Sequence, residues 1–140
     1  MNESTTLIIE REFPTSREEL RLLPPLLEAA RARCPIADDQ FYNLVIALTE
    51  AVNNAIVHGN RNDATKLVRY RVTCEPEGIR CVVEDEGEGF ELDDVADPVA
   101  PENLLRDGGR GLFIIRALMQ EVRLVRREGG MRIEFLCARS

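Results

Sequence analysis

Between Ala37 and His58, apolar residues recur at intervals of three and four: Phe41, Leu44, Leu48, Val52 and Ala55. That spacing draws a single stripe along an α-helix. Asp38 or Asp39 can cap its start, and Gly59 stands where a C-cap glycine belongs. A long helix that is apolar on one stripe must lay that stripe on a second layer. The rest of the chain therefore has to supply that layer.

The flanking sequence supplies it as strands. Thr5 to Phe13 reads as a strand with Leu7 and Ile9 on one face. Ser16 with Glu19 three residues on forms a capping box. It opens a helical run to Arg33 that carries Leu20, Leu23, Leu27 and Ala30. Pro24-Pro25 should break or kink that run, and Pro35 marks the next connection. Asn60 to Ala64 is a polar loop. Val68, Tyr70, Val72 and Cys74 alternate, as do Ile79, Cys81 and Val83, with Glu75-Pro76-Glu77-Gly78 as the turn between them. This is a hairpin pattern. Glu91 to Asp107 is acidic, holds Pro98 and Pro101, and reads as a lid-like loop with at most a short helix. Gly111 to Met119 reads as a helix with Leu112, Ile115 and Leu118/Met119 inward. Val122 to Arg126 and Arg132 to Leu136 form a last hairpin around Gly129-Gly130, with Ile133 and Phe135 inward. The order β, α, α, β, β, loop, α, β, β predicts an α+β, two-layer α/β sandwich. Its sheet is mixed and mostly antiparallel, with helices on one face.

Length and charge limit what such a domain does. The 140 residues suit one domain over 1–140. The formal net charge of −7 argues against direct nucleic-acid binding, which wants a basic patch. It leaves room for a single nucleotide, whose charge can be met locally by Mg²⁺, backbone N–H groups and a few arginines. No apolar run approaches the ~20 residues that span a bilayer. Met1 to Glu12 lacks the basic start and apolar block of a signal peptide, so no membrane association and a cytoplasmic location are expected. Cys34, Cys74, Cys81 and Cys137 contain no CxxC pair, which speaks against zinc. Cys74, Cys81 and Cys137 read as small buried apolar residues.

Three short segments carry chemistry. Glu50 and Asn54 lie four apart on one helix face, and His58 comes one turn later. Asn offers the neutral oxygen that Mg²⁺ accepts, and Glu can take a proton. Taken alone, the pair reads more readily as an exposed polar face. Asp85 continues the inward face of Ile79, Cys81 and Val83, where a carboxylate needs hydrogen-bond donors. Gly87 and Gly89 follow it and leave room for a ligand; an Asp-Gly turn is the alternative. An acceptor in that setting suits the adenine amino group. Gly108-Gly109-Arg110-Gly111-Leu112 stands before a helix, whose first N–H groups favour phosphate. A flexible glycine connection would look the same, and there is no P-loop GxxxxGK[ST].

In order and together, these segments resemble the GHKL ATPase superfamily, which includes gyrase, Hsp90, histidine kinases and MutL. The match runs from about residue 5 to 137. Glu50-Ala-Val-Asn-Asn54-Ala-Ile-Val-His58-Gly59-Asn60 is similar to its N box. Asp85-Glu-Gly87-Glu-Gly89-Phe90 is similar to its G1 box, and Gly109-Arg-Gly111-Leu112 to its G2 box. Within it the chain most resembles the small anti-sigma-factor serine/threonine kinases, through Thr-Glu50-Ala-Val-Asn-Asn54-Ala with His58-Gly59, the short lid and the ending Gly-Leu-Phe-Ile-Ile-Arg-Ala-Leu-Met. The resemblance implies a Bergerat fold that binds ATP and Mg²⁺. It implies Asn54 as the Mg²⁺ ligand, Glu50 as general base and Asp85 on adenine. Gly87, Gly89, Gly109 and Gly111 would shape the pocket and lid, with Arg106 or Arg110 on phosphate and His58 and Leu112 beside the nucleotide. It further implies phosphoryl transfer to an anti-anti-sigma partner of the STAS fold, capture of a sigma factor, and a homodimer. The rival reading is a non-catalytic ATP-responsive binding module. A detached histidine-kinase domain is a third, but no segment here supplies its phosphoacceptor helix pair.

Overall fold

The protein is described from a computed structural model that defines residues 5–87 and 109–139. The strands are β1 (Thr6–Pro14), β2 (Leu67–Glu75), β3 (Gly78–Glu84), β4 (Gln120–Arg127) and β5 (Gly130–Ala138). The helices are α1 (Leu23–Arg31), α2 (Asp38–Asn54) and α3 (Gly109–Leu118). The five strands form one sheet in the order β1-β2-β3-β5-β4. Every pairing among the described residues is antiparallel, so the mixed sheet resolves into an antiparallel one.

One sheet face and the helices share a single core. Alternation sends Val68, Tyr70 and Val72 of β2 inward with Ile79, Cys81 and Val83 of β3 and Ile133, Phe135 and Cys137 of β5. They meet Leu44, Leu48 and Val52 of α2, the central helix, Ile56 of the turn that follows it, and Ile115 from α3. The stripe foreseen on α2 is thus the seam of the two layers. The opposite sheet face is charged. There Glu84 lies within 4.0, 3.5 and 3.9 Å of Arg69, Arg127 and Arg132. All but one of the 18 basic residues are arginine, the side chain whose fork serves several carboxylates at once.

The element starts and ends differ from the sequence expectation in ways that have physical causes. A register shift between Leu7 and Ile9 turns Leu7 to solvent, while Ile9 and Phe13 stay buried. Ser16 does cap, accepting from Glu18 N at 3.2 Å, but it caps a 3₁₀ turn over Arg17–Arg21. Glu19 does not reach back to complete a box. Its buried carboxylate accepts from Arg11 Nε and Nη2 at 2.8 and 2.9 Å, and Tyr70 Oη lies 3.4 Å away. Burial and the Glu19 charge push the Tyr70 phenol well above its ordinary range. The Pro24-Pro25 pair kinks nothing: it lies in the first turn of α1, where a missing N–H costs no helical bond. Ala37, not an aspartate, holds the N-cap of α2. Asp38 and Asp39 occupy its first turn, where negative charge suits the helix dipole.

The cysteines divide. Cys81 and Cys137 are buried thiols, and burial pushes both upward in pKa. Cys74, expected as another buried apolar residue, is instead bonded to Cys34. That bond ties the connection after α1 to the end of β2. Among the described residues, no helix is long and apolar enough to cross a membrane.

Candidate nucleotide site

The site gathers around the C-terminal end of the central helix. Ala51, Val52, Ala55 and Ile56 are drawn down onto the sheet. Glu50 and Asn54, four apart, are left half-buried on the flank. Past Asn54 the helix widens into a π turn, Ala55–Gly59, closed by Asn60 N donating to Ala55 O at 2.8 Å. Such turns are common at functional sites. His58 lies in this widened turn, half-buried, rather than in a further α-turn. Gly59 is therefore not a left-handed C-cap; among the described residues only Gly78 and Gly129 are glycines with positive φ.

Close approach is what Gly59 provides. A Cβ there would fall 2.2 Å from Asp85 Oδ2. A Cβ on Gly87 would in turn fall 1.8 Å from Gly59 O. The N-box glycine and the Asp85-x-Gly87 segment therefore interlock with no space for any other side chain. On the other flank, α3 begins at Gly109, earlier than the Gly111 start read from the sequence. Gly111 is buried in its first turn, and a Cβ on it would lie 2.6 Å from Asn54 Nδ2. Arg110 beside it is exposed, and Leu112 packs against the core. The first-turn N–H groups of α3, which have no partner within the helix, start beside Asn54.

Asp85 is 7% exposed at the end of β3. Its Oδ1 accepts from Gly87 N at 2.9 Å and Met131 N at 3.3 Å. Its Oδ2 is the oxygen turned toward Gly59. Burial raises the carboxyl above its ordinary pKa, and the two backbone donors hold part of that rise back. The backbone around it is fixed as well. Asp85 N donates to Met131 O at 3.0 Å, and Arg127 Nη2 donates to Asp85 O at 3.3 Å.

Glu50, Asn54, His58, Asp85, Gly87, Gly109, Arg110, Gly111 and Leu112 are thus placed on three segments that meet. Gly89, Arg106 and the lid over 91–108 lie outside the described residues. Two residues inside the N-box and G1-box segments, given no role from the sequence, take part here. Asn60, read as loop, is fully buried and binds Glu86 N through Oδ1 at 2.8 Å. Glu86 accepts from Leu67 N at 2.6 Å. Their place inside the two quoted boxes was the available signal.

With this geometry in place, the class of protein follows from comparison. The family profile of the histidine kinase-like ATPase domain matches residues 13–136, and the chain belongs to that family. Among its relatives, the serine-protein kinase RsbW of Staphylococcus epidermidis is 31% identical over 141 aligned residues, covering 96% of this chain and 88% of its own. The serine-protein kinase RsbW of Staphylococcus aureus strain JH9 is 30% identical over 128 residues, covering 86% and 80%. In the crystal structure of the RsbU and RsbW domains of Rv1364c from Mycobacterium tuberculosis, a part amounting to 31% of that chain superimposes on 91% of this one. The TM-score is 0.60 at 19% identity, a likeness of fold.

Proposed function

We propose that this protein is a cytoplasmic, Mg·ATP-dependent serine/threonine kinase and anti-sigma factor, acting as a homodimer that phosphorylates an anti-anti-sigma partner of the STAS fold. The observation that carries the nucleotide part is the meeting of Asn54, Gly59, Asp85, Gly87 and Gly111 at one helix end, packed so closely that a Cβ on any of the three glycines would fall 2.6 Å or less from a neighbouring atom. The kinase part rests on the flanking Glu50 and on the two relatives named as serine-protein kinases.

Each residue has a role its chemistry supports. Asp85 Oδ2 accepts from the adenine amino group, since Oδ1 is already engaged by two backbone N–H groups. Gly59 and Gly87 let the helix end and the strand end close on each other, which holds Oδ2 in place. The first turn of α3 and Arg110 meet the phosphates. Asn54 fits a magnesium ion, which takes one or two protein oxygens and completes its shell with water and phosphate. A larger protein cage is neither needed nor present among the described residues. ATP with Mg²⁺ supplies the transferable γ-phosphoryl group. Glu50 takes the proton of the acceptor hydroxyl, and the remaining catalysis is positioning and charge neutralisation.

The test is γ-labelled ATP incubated with the protein and the STAS-fold partner recovered by ATP-dependent pull-down. Label should appear on a Ser or Thr of the partner. ATP-dependent capture without transfer would replace the kinase reading with that of a binding module.

A further inference from the structure

Asn60 is 0% exposed, and its amide is used on both sides. Nδ2 donates to Thr15 Oγ1 and to Leu67 O, each at 2.9 Å. Oδ1 accepts from Glu86 N at 2.8 Å. Thr15 Oγ1 in turn donates to Lys66 O at 2.8 Å. One side chain thereby joins the end of β1, the start of β2 and the peptide that follows Asp85. Only an amide offers two donors and an acceptor in this geometry; aspartate has no donor and alanine has neither. The Glu86 side chain binds the same strand start through Leu67 N, so the segment after Asp85 is held twice.

We propose that Asn60 is a positioning residue for base selection. By fixing the peptide between Asp85 and Glu86, it sets the aim of Asp85 Oδ2 and hence the preference for a purine carrying a 6-amino group. This rests on the reading of Asp85 as the adenine acceptor. The aim of a carboxylate matters because a hydrogen bond weakens steeply once it is misaligned. Gly59 contributes contact on one side of that oxygen, and Asn60 fixes the backbone that carries it.

The experiment compares the affinities of ATP and purine riboside 5′-triphosphate, which lacks the 6-amino group, for each variant. The wild type should favour ATP by roughly ten- to a hundredfold, as a hydrogen bond to a charged acceptor would give. Asn60→Ala should cut that ratio at least fivefold by weakening ATP, with purine riboside triphosphate held within twofold. In an Asp85→Asn background, Asn60→Ala should remove little further preference, because the two act through one oxygen. Equal weakening of both nucleotides, or an unchanged ratio, would overturn the proposal and leave Asn60 a structural residue. A wild type that binds both nucleotides equally would overturn the adenine reading of Asp85 itself. If Asn60→Ala does not fold, Thr15→Val decides. It removes one acceptor of Nδ2 and should lower the ratio at least twofold; no change would overturn the proposal.

Discussion

Gly59 and Asp85 touch across the end of the central helix, with a Cβ at Gly59 falling 2.2 Å from the Asp85 Oδ2 oxygen. The contact joins the helix bearing Glu50 and Asn54 to the strand end bearing the buried carboxylate. Gly59→Ala must therefore displace the carboxylate. The expected result is at least a tenfold loss of ATP affinity by calorimetry, with transfer lost in parallel. An Ala variant that binds ATP like wild type would show that Oδ2 is not used.

Asp85 also sets a pH dependence. Burial raises its carboxyl above the ordinary 3.8, so folding favours the protonated form. The contribution of this group to stability is full below that ordinary value and is lost as pH rises through the raised one. Asn at 85 keeps an oxygen for Gly87 N and Met131 N but carries no charge. Without nucleotide, Asp85→Asn should match or exceed wild type in urea unfolding at neutral pH, and the gap should close as pH falls below about 4. A gap that widens on acidification would contradict this.

Glu50 stands beside the site without belonging to its closest contacts. Glu50→Gln should leave ATP affinity within about twofold and lower transfer by roughly 10²- to 10⁴-fold, the usual range for losing a general base. Single-turnover kinetics with labelled ATP measures it. Loss of binding and fold together would make Glu50 structural.

The Cys34–Cys74 bond closes a loop with a sequence separation of 40 residues. By the chain-entropy relation, such a loop stabilises by about 4 kcal/mol. Reductant should shift wild-type urea unfolding to the midpoint of the Cys34→Ser/Cys74→Ser double variant, which itself should not respond. A wild type indifferent to reductant would show that the bond contributes nothing.

Much of the fold was legible because it rests on local periodicity. The stripe from Phe41 to Ala55 and the alternation from Val68 to Val83 each define an element without reference to anything distant. What escaped was set by contacts far along the chain. Glu19 follows Ser16 at capping-box spacing, but Arg11 across the turn and Tyr70 in β2 hold it instead. Cys34 finds its partner only once α1 is laid beside the sheet. Of the candidate site, the three segments that converge were legible through the order of Glu50, Asn54, Asp85, Gly87 and Gly111 along the chain. Gly59 was seen but for the wrong reason: its lack of a side chain serves the Asp85 carboxylate and not a left-handed cap. Asn60 was hidden because a polar residue after a helix reads as solvent-facing, and its burial arises only where β1, β2 and β3 converge.

The central claim is that Asp85 anchors a nucleotide at the end of the central helix. Calorimetric titration of ATP with Mg²⁺ into wild type and Asp85→Asn tests it most directly. The account predicts one ATP bound per wild-type chain and at least a tenfold weaker Asp85→Asn, with the unliganded variant unfolding no earlier than wild type. Equal affinities in the two proteins would contradict it.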